Sequence, residues 1–134
     1  MKRRITCTLV LFTLLSAFCL GGCSSYVSSG VGTIMISNNL SDSASVSFDS
    51  FEGTKVFTLK NKNGTRGEVS YHAKLGSGSA TVYYDVNGTK TEWFKVEEGD
   101  ELEASQILSD EGKIYIIVET DGKCEDGRFE FNLE

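Results

Sequence analysis

Beyond residue 30 the chain is written in alternation. Residues 68–75 show it most cleanly: Val69, Tyr71, Ala73 and Leu75 share one face, and Ser70, His72 and Lys74 share the other. Period-two alternation marks a strand with one packed and one wet face. Shorter runs of the same kind occupy 31–36, 44–49, 54–60, 80–86 and 89–96, and 128–133 closes the chain with Phe129, Phe131 and Leu133 on one face. Residues 113–120 differ, because Ile114 to Val118 are continuously apolar or aromatic. Such a run suits a central strand covered on both sides. Asn38-Asn39, Asn63-Gly64, Gly76-Ser77-Gly78 and Asn87-Gly88 punctuate the runs, and Asp121-Gly122 and Asp126-Gly127 bracket a turn holding Cys124. Between 97 and 112, Leu102, Ile107 and Leu108 make a poor helical stripe, and Asp100 with Glu103 is an incomplete capping box. A loop with a short strand is expected there. Eight or nine strands at about ten-residue spacing, in a chain without proline, predict an all-β fold. The expected form is an antiparallel β-sandwich of jelly-roll type over 31–134.

Asn87-Gly88 is a strong hairpin signal, since both residues tolerate positive φ. Its register decides where the aromatic residues point. A two-residue turn pairs Tyr84 with Thr91 and Val82 with Trp93, which sends Trp93 to the core. One bulge residue puts Phe94 on that face and leaves Trp93 outside, and the alternation of Phe94 with Val96 favours this form. An outward Trp93 would join Tyr83 and Tyr115 as a candidate ligand platform, because sugar C–H edges stack on the electron-rich faces of aromatic rings. The competing reading makes Trp93 ordinary core or rim packing.

The N-terminus has a different character. Lys2, Arg3 and Arg4 precede an uncharged run of 16 residues, 5–20. That is short for a membrane-spanning helix of ~20 residues and has the make-up of a secretory signal. The run ends in Leu20-Gly21-Gly22-Cys23, which resembles the lipobox of bacterial lipoproteins. The resemblance implies removal of residues 1–22, a diacylglycerol thioether on Cys23 and acylation of the new amino group. Two or three acyl chains hold a protein at a membrane stably, where one holds it marginally. Residues 23–30 then read as the lipidated cysteine and a flexible Ser/Gly-rich tether. The expected location is extracytoplasmic: on the cell membrane, or on the outer membrane of a two-membrane cell, since Ser24 stands where an inner-membrane retention aspartate would.

Cleavage changes the charge and cysteine counts. The leader carries three of the 13 basic residues and none of the 19 acids, leaving ten against nineteen, a net charge of −9. This balance excludes a nucleic-acid binder, and repulsion from anionic headgroups favours a domain standing off the surface. Cys7 and Cys19 leave with the signal, so Cys124 has no partner for an intramolecular disulfide.

Catalytic motifs are missing: there is no Gly-x-Ser-x-Gly, His-Glu-x-x-His, Cys-x-x-Cys, phosphate loop or dinucleotide fingerprint. His72, the one histidine, falls on a polar strand face with Ser70 and Lys74, as a solvated histidine does. Nothing in the spacing of the acids selects a glycosidase pair. The acid clusters 97–101 and 121–126 do not follow the EF-hand pattern. Asn63-Gly64-Thr65 and Asn87-Gly88-Thr89 match glycosylation sequons but read as turns. No catalytic residue, metal or cofactor is therefore expected. Gly112-Lys113-Ile114-Tyr115-Ile116 followed by Gly127-Arg128-Phe129-Glu130-Phe131 resembles the closing strands of bacterial jelly-roll modules, among them carbohydrate-binding modules and pre-peptidase C-terminal domains.

The expected function is a membrane-anchored, non-catalytic binding or interaction module. Its partner would be a glycan held on Tyr83, Trp93 and Tyr115, or an envelope protein paired through a sheet edge in a structural role. Mass spectrometry of the mature protein is expected to find an acylated Cys23 at its N-terminus. An intact leader or an unmodified cysteine would overturn the anchor.

Overall fold

A computed structural model describes residues 26–61, 67–108 and 112–134. The lipobox, Cys23 and the Asn63-Gly64 turn lie outside the described residues. The strands are β1 (Ser29–Thr33), β2 (Ile36–Asn39), β3 (Ser43–Asn61), β4 (Glu68–Asp85), β5 (Thr91–Val96), β6 (Glu101–Ile107) and β7 (Gly112–Leu133). All pairings are antiparallel, in the order β1-β3-β7-β4-β5, with β2 also on β3 and β6 also on β4.

β3, β4 and β7 span 19, 18 and 22 residues, and each unites two of the runs that the alternation separates. The three therefore pass through both layers of a β-sandwich. One layer is β2-β3-β7-β4-β6, built on the first halves of β3 and β4 and the second half of β7. The other is β1-β3-β7-β4-β5, built on the remaining halves. The registers slip between Phe51 and Thr54 and between Ser77 and Ser79, where the sheet turns from one layer into the other. Gly53 and Gly78 sit in these slips with φ of 144° and 90°, a backbone that side chains resist. The Asp121-Gly122 turn expected in the sequence is the matching corner of β7, so the strand continues through it.

One hydrophobic cluster fills the space between the layers. Val46, Val69, Ala73, Phe129 and Phe131 come from the first, and Phe57, Leu59, Val82, Ile114, Ile116 and Val118 from the second. Phe57 and Phe131 meet across it with ring centroids 6.0 Å apart. Ile117 is also buried but points to the opposite face, where Val56 and Tyr83 stand beside it in register. The central position of β7 accounts for the continuous apolar run.

The β4–β5 hairpin combines the two registers considered above. Tyr84 pairs with Thr91 and Tyr83 with Glu92, as a two-residue turn requires, and then Val82 pairs with Phe94, leaving Trp93 in a bulge. Asp85 Oδ1 accepts hydrogen bonds from the Asn87 and Gly88 N–H groups at 3.1 and 2.6 Å, closing an Asx turn.

Order begins earlier than a tether over 23–30 implies. The Tyr26 hydroxyl donates to the Asp85 carboxylate, and Ser28 Oγ accepts from the Val56 N–H at 2.8 Å. Gly30 then faces Gly53 across the β1–β3 ladder. A Cβ on Gly30 would lie 2.3 Å from the Glu52 carbonyl oxygen, so the small residues that suggest flexibility serve a close backbone approach.

Gly127 lies beneath the Phe48 ring, and a Cβ there would fall 2.1 Å from Cζ. Gly127→Ala is expected to cost about 1–3 kcal/mol through overpacking, read as a lower urea midpoint at unchanged slope. An unchanged midpoint would contradict this packing.

Candidate functional site

The pleat sends polar side chains outward in rows. On the outer face of the first layer, Ser45, Glu130, His72 and Glu103 stand side by side on β3, β7, β4 and β6. The next row is Ser43, Asn132, Ser70 and Ser105. Directly opposed residues have Cβ atoms about 5 Å apart, so the rows form a continuous polar surface. An open trough of about 580 Å³ lies on it, lined by Ser70, Tyr71, His72, Glu103, Ala104, Ser105, Glu130 and Asn132.

Neighbours hold the trough's side chains. His72 Nε2 lies 3.0 Å from Glu101 Oε1, and Nδ1 lies 3.7 Å from Glu130 Oε2. Arg128 donates through Nε and Nη2 to Glu130 Oε1 at 3.0 and 2.6 Å. Ser105 Oγ donates to Glu68 Oε1 at 3.1 Å, and Ser70 Oγ to the Asn132 carbonyl at 3.4 Å. The sequence pattern marks His72 and Ser70 as outward. It does not bring Glu103, Ser105, Glu130 and Asn132 beside them, because only strand pairing does so. The available signal was that Glu130 and Asn132 alternate with Phe129, Phe131 and Leu133.

The outer face of the second layer carries tyrosines. Tyr83 lies opposite Ile117, and Tyr115 opposite Asp85. Tyr26 packs against Tyr115 at 5.5 Å between centroids. The Lys90 ammonium sits 4.3 Å from the Tyr83 ring centre and pairs with Glu119. A cavity of about 250 Å³ beside Tyr83 is lined by Thr81, Lys95, Glu119, Thr120 and Asp121.

Tyr83 and Tyr115 thus share a face, and Trp93 is not on it. The bulge turns Trp93 onto the core, half-buried, with its ring 4.9 Å from Tyr71 and 6.1 Å from both Tyr84 and Phe131. A single platform of all three rings is not formed. Cys124 is buried, and its thiol donates to the Ser79 carbonyl at 3.2 Å. Burial pushes that thiol's pKa up, which suppresses the reactive thiolate. Among the described residues no three of His, Cys, Asp and Glu converge on a metal position.

No family model and no curated protein matches this chain. Among solved structures, a family 61 carbohydrate-binding module in complex with β-1,4-galactotriose is similar over 87% of this chain and 92% of its own, with 20% identity and a TM-score of 0.50. A family 29 module matches over 82% and 74%, with 13% identity and a TM-score of 0.42. A family 4 module matches over 80% and 76%, with 12% identity and a TM-score of 0.40. The first likeness establishes the β-sandwich fold; site residues have to be reasoned from this chain itself.

The hydrogen bond to Asp85, with burial second, pushes the Tyr26 pKa from 10.0 up to about 12. A raised tyrosine pKa gives stability that is intact below pH 10 and lost as pH climbs through 12. Spectrophotometric titration is expected to show a late-ionising tyrosine that Tyr26→Phe removes. A variant titrating like the wild type would contradict the pinned N-terminus.

Proposed function

We propose that the protein is a lipid-anchored, extracytoplasmic module that binds a neutral carbohydrate in the trough over β7, β4 and β6, without converting it. The observation that carries this reading is the composition of the trough. Glu101, Glu103 and Glu130 surround His72, with Arg128 at the margin, so the surface repels anions. Ser70, Ser105 and Asn132 supply hydroxyl and amide groups that both donate and accept, and the carboxylates accept from ligand hydroxyls in strong charge-assisted bonds. A polyhydroxylated, uncharged ligand matches that set. The volume of about 580 Å³ falls within the roughly 300–1,000 Å³ of small-ligand sites. The carboxylates stand on one sheet face, whereas glycoside hydrolysis needs two flanking the scissile bond. The same fold in the family 61 module holds a neutral oligosaccharide, which supports the reading by analogy only.

A second position is favoured by the cavity of about 250 Å³ beside Tyr83. There a sugar ring would stack on Tyr83, with Glu119 and Asp121 as acceptors. Tyr115 contributes less, because Tyr26 packs against it.

A neutral-glycan array followed by calorimetry tests the choice. Glu103→Ala is expected to weaken binding roughly 10- to 150-fold, the worth of about 1.5–3 kcal/mol for a hydrogen bond to a charged group. Tyr83→Ala is expected to change it little. The reverse outcome would move the site to the second layer, and no binding to any neutral glycan would overturn the proposal.

A further inference from the structure

We propose that the β1–β2 edge of the sandwich lies against the membrane, with the bilayer's headgroup zone as its partner. This rests on the lipidation of Cys23. Exposed apolar side chains concentrate at this edge: Val31 is 79% exposed, Ile34 73% and Ile36 69%, with Val27 and Leu40 beside them. Among the described residues one other large apolar side chain, Ile107, is exposed, and it lies on β6 at the far side of its layer.

Charge follows the same division. No charged residue occurs from Cys23 to Ser41, although the chain from Cys23 onward carries a net −9. Repulsion from anionic headgroups therefore acts on the rest of the module and spares this edge. The nearest acids, Asp42, Asp49 and Glu52, stand at its rim, on β3 and the turn before it, which limits contact to a shallow depth. An interfacial apolar face sinks about 5–10 Å, where headgroups and water can still satisfy the unpaired backbone of an edge strand.

The attachment point is close. The Tyr26 side chain is tied to Asp85 and Tyr115, so two residues, Ser24 and Ser25, and three Cα-to-Cα steps separate this pinned residue from Cys23. Fully extended, they reach about 10 Å. A domain held that near the acyl chains presents its N-terminal edge to the surface. Ile34 adds a local sign. It interrupts the edge between β1 and β2 with φ of 46°, a left-handed conformation costly for a β-branched residue. That break turns Met35 toward the core and leaves Ile34 and Ile36 in solvent. In this orientation the trough is carried on the strands farthest from the bilayer, at about 4.8 Å per strand.

Full-length lipidated protein in phosphatidylcholine–phosphatidylglycerol nanodiscs containing spin-labelled lipid provides the test. Methyl signals of Val31, Ile34 and Ile36 are expected to broaden while those of Ile107 stay sharp, and Ile34→Asp with Ile36→Asp to lose the effect at the remaining Val31. Equal broadening at Ile107, or none at either edge, would show a domain swinging free and overturn the proposal. So would edge signals that shift with protein concentration instead of with lipid, which would assign the edge to a second copy. Mass spectrometry of the same sample separates the premises. An unacylated Cys23 removes the anchor and this proposal together, whereas an acylated Cys23 with sharp edge signals removes this proposal alone.

Discussion

Three strands must change layer at the same level for this molecule to close. β3, β4 and β7 run side by side, and a bend in one would tear the ladder unless its neighbours bent with it. Gly53 and Gly78 absorb the turn in β3 and β4, and the corner at Asp121-Gly122 absorbs it in β7. β7 lies between the other two in both layers, so its register sets theirs. A slip of one residue would exchange Phe129 and Phe131 for Glu130 and Asn132 on the buried face. The core and the polar outer surface are thus two results of one pairing.

The aromatic residues follow from the same constraint. The bulge at Trp93 lets β5 follow the twist of β4 while delivering Trp93 and Phe94 to the inner side. Phe94 stacks on Tyr71 at 3.8 Å, and Trp93 closes the group edge-on. Aromatic pairs of this kind contribute about 0.5–1.5 kcal/mol beyond their buried area. Trp93 therefore serves the sandwich rim, and the outer faces are left with hydrogen-bonding groups and Tyr83.

Much of the architecture was legible in the chain because alternation is a local property. The strand class, the central place of the Ile114–Val118 run, the short strand near 101–107 and the hairpin at Asn87-Gly88 can each be read from a few adjacent residues. Continuity through the bends could not be read that way. Glycine and aspartate at 121–122 look alike in a turn and in a strand corner, and only the partner strands tell them apart. The Ser/Gly-rich composition of residues 26–30 misleads for a related reason: it signals flexibility, but Tyr26 finds Asp85 at a separation of 59 residues. The trough was half legible. His72 and Ser70 were visibly outward, and their companions arrive from strands about 30 and 60 residues away.

The two surfaces are chemically opposite. The N-terminal edge is apolar and uncharged, and the trough is polar and acid-rich. The proposed lipid-anchored module would use both, one facing the bilayer and one facing away. The most direct measurement is a map of amide chemical-shift changes during titration with a neutral oligosaccharide, β-1,4-galactotriose first. Changes centred on Ser70, His72, Glu103, Glu130 and Asn132 are the predicted result. Changes centred on Thr81, Tyr83 and Glu119, or none with any neutral glycan, would contradict it.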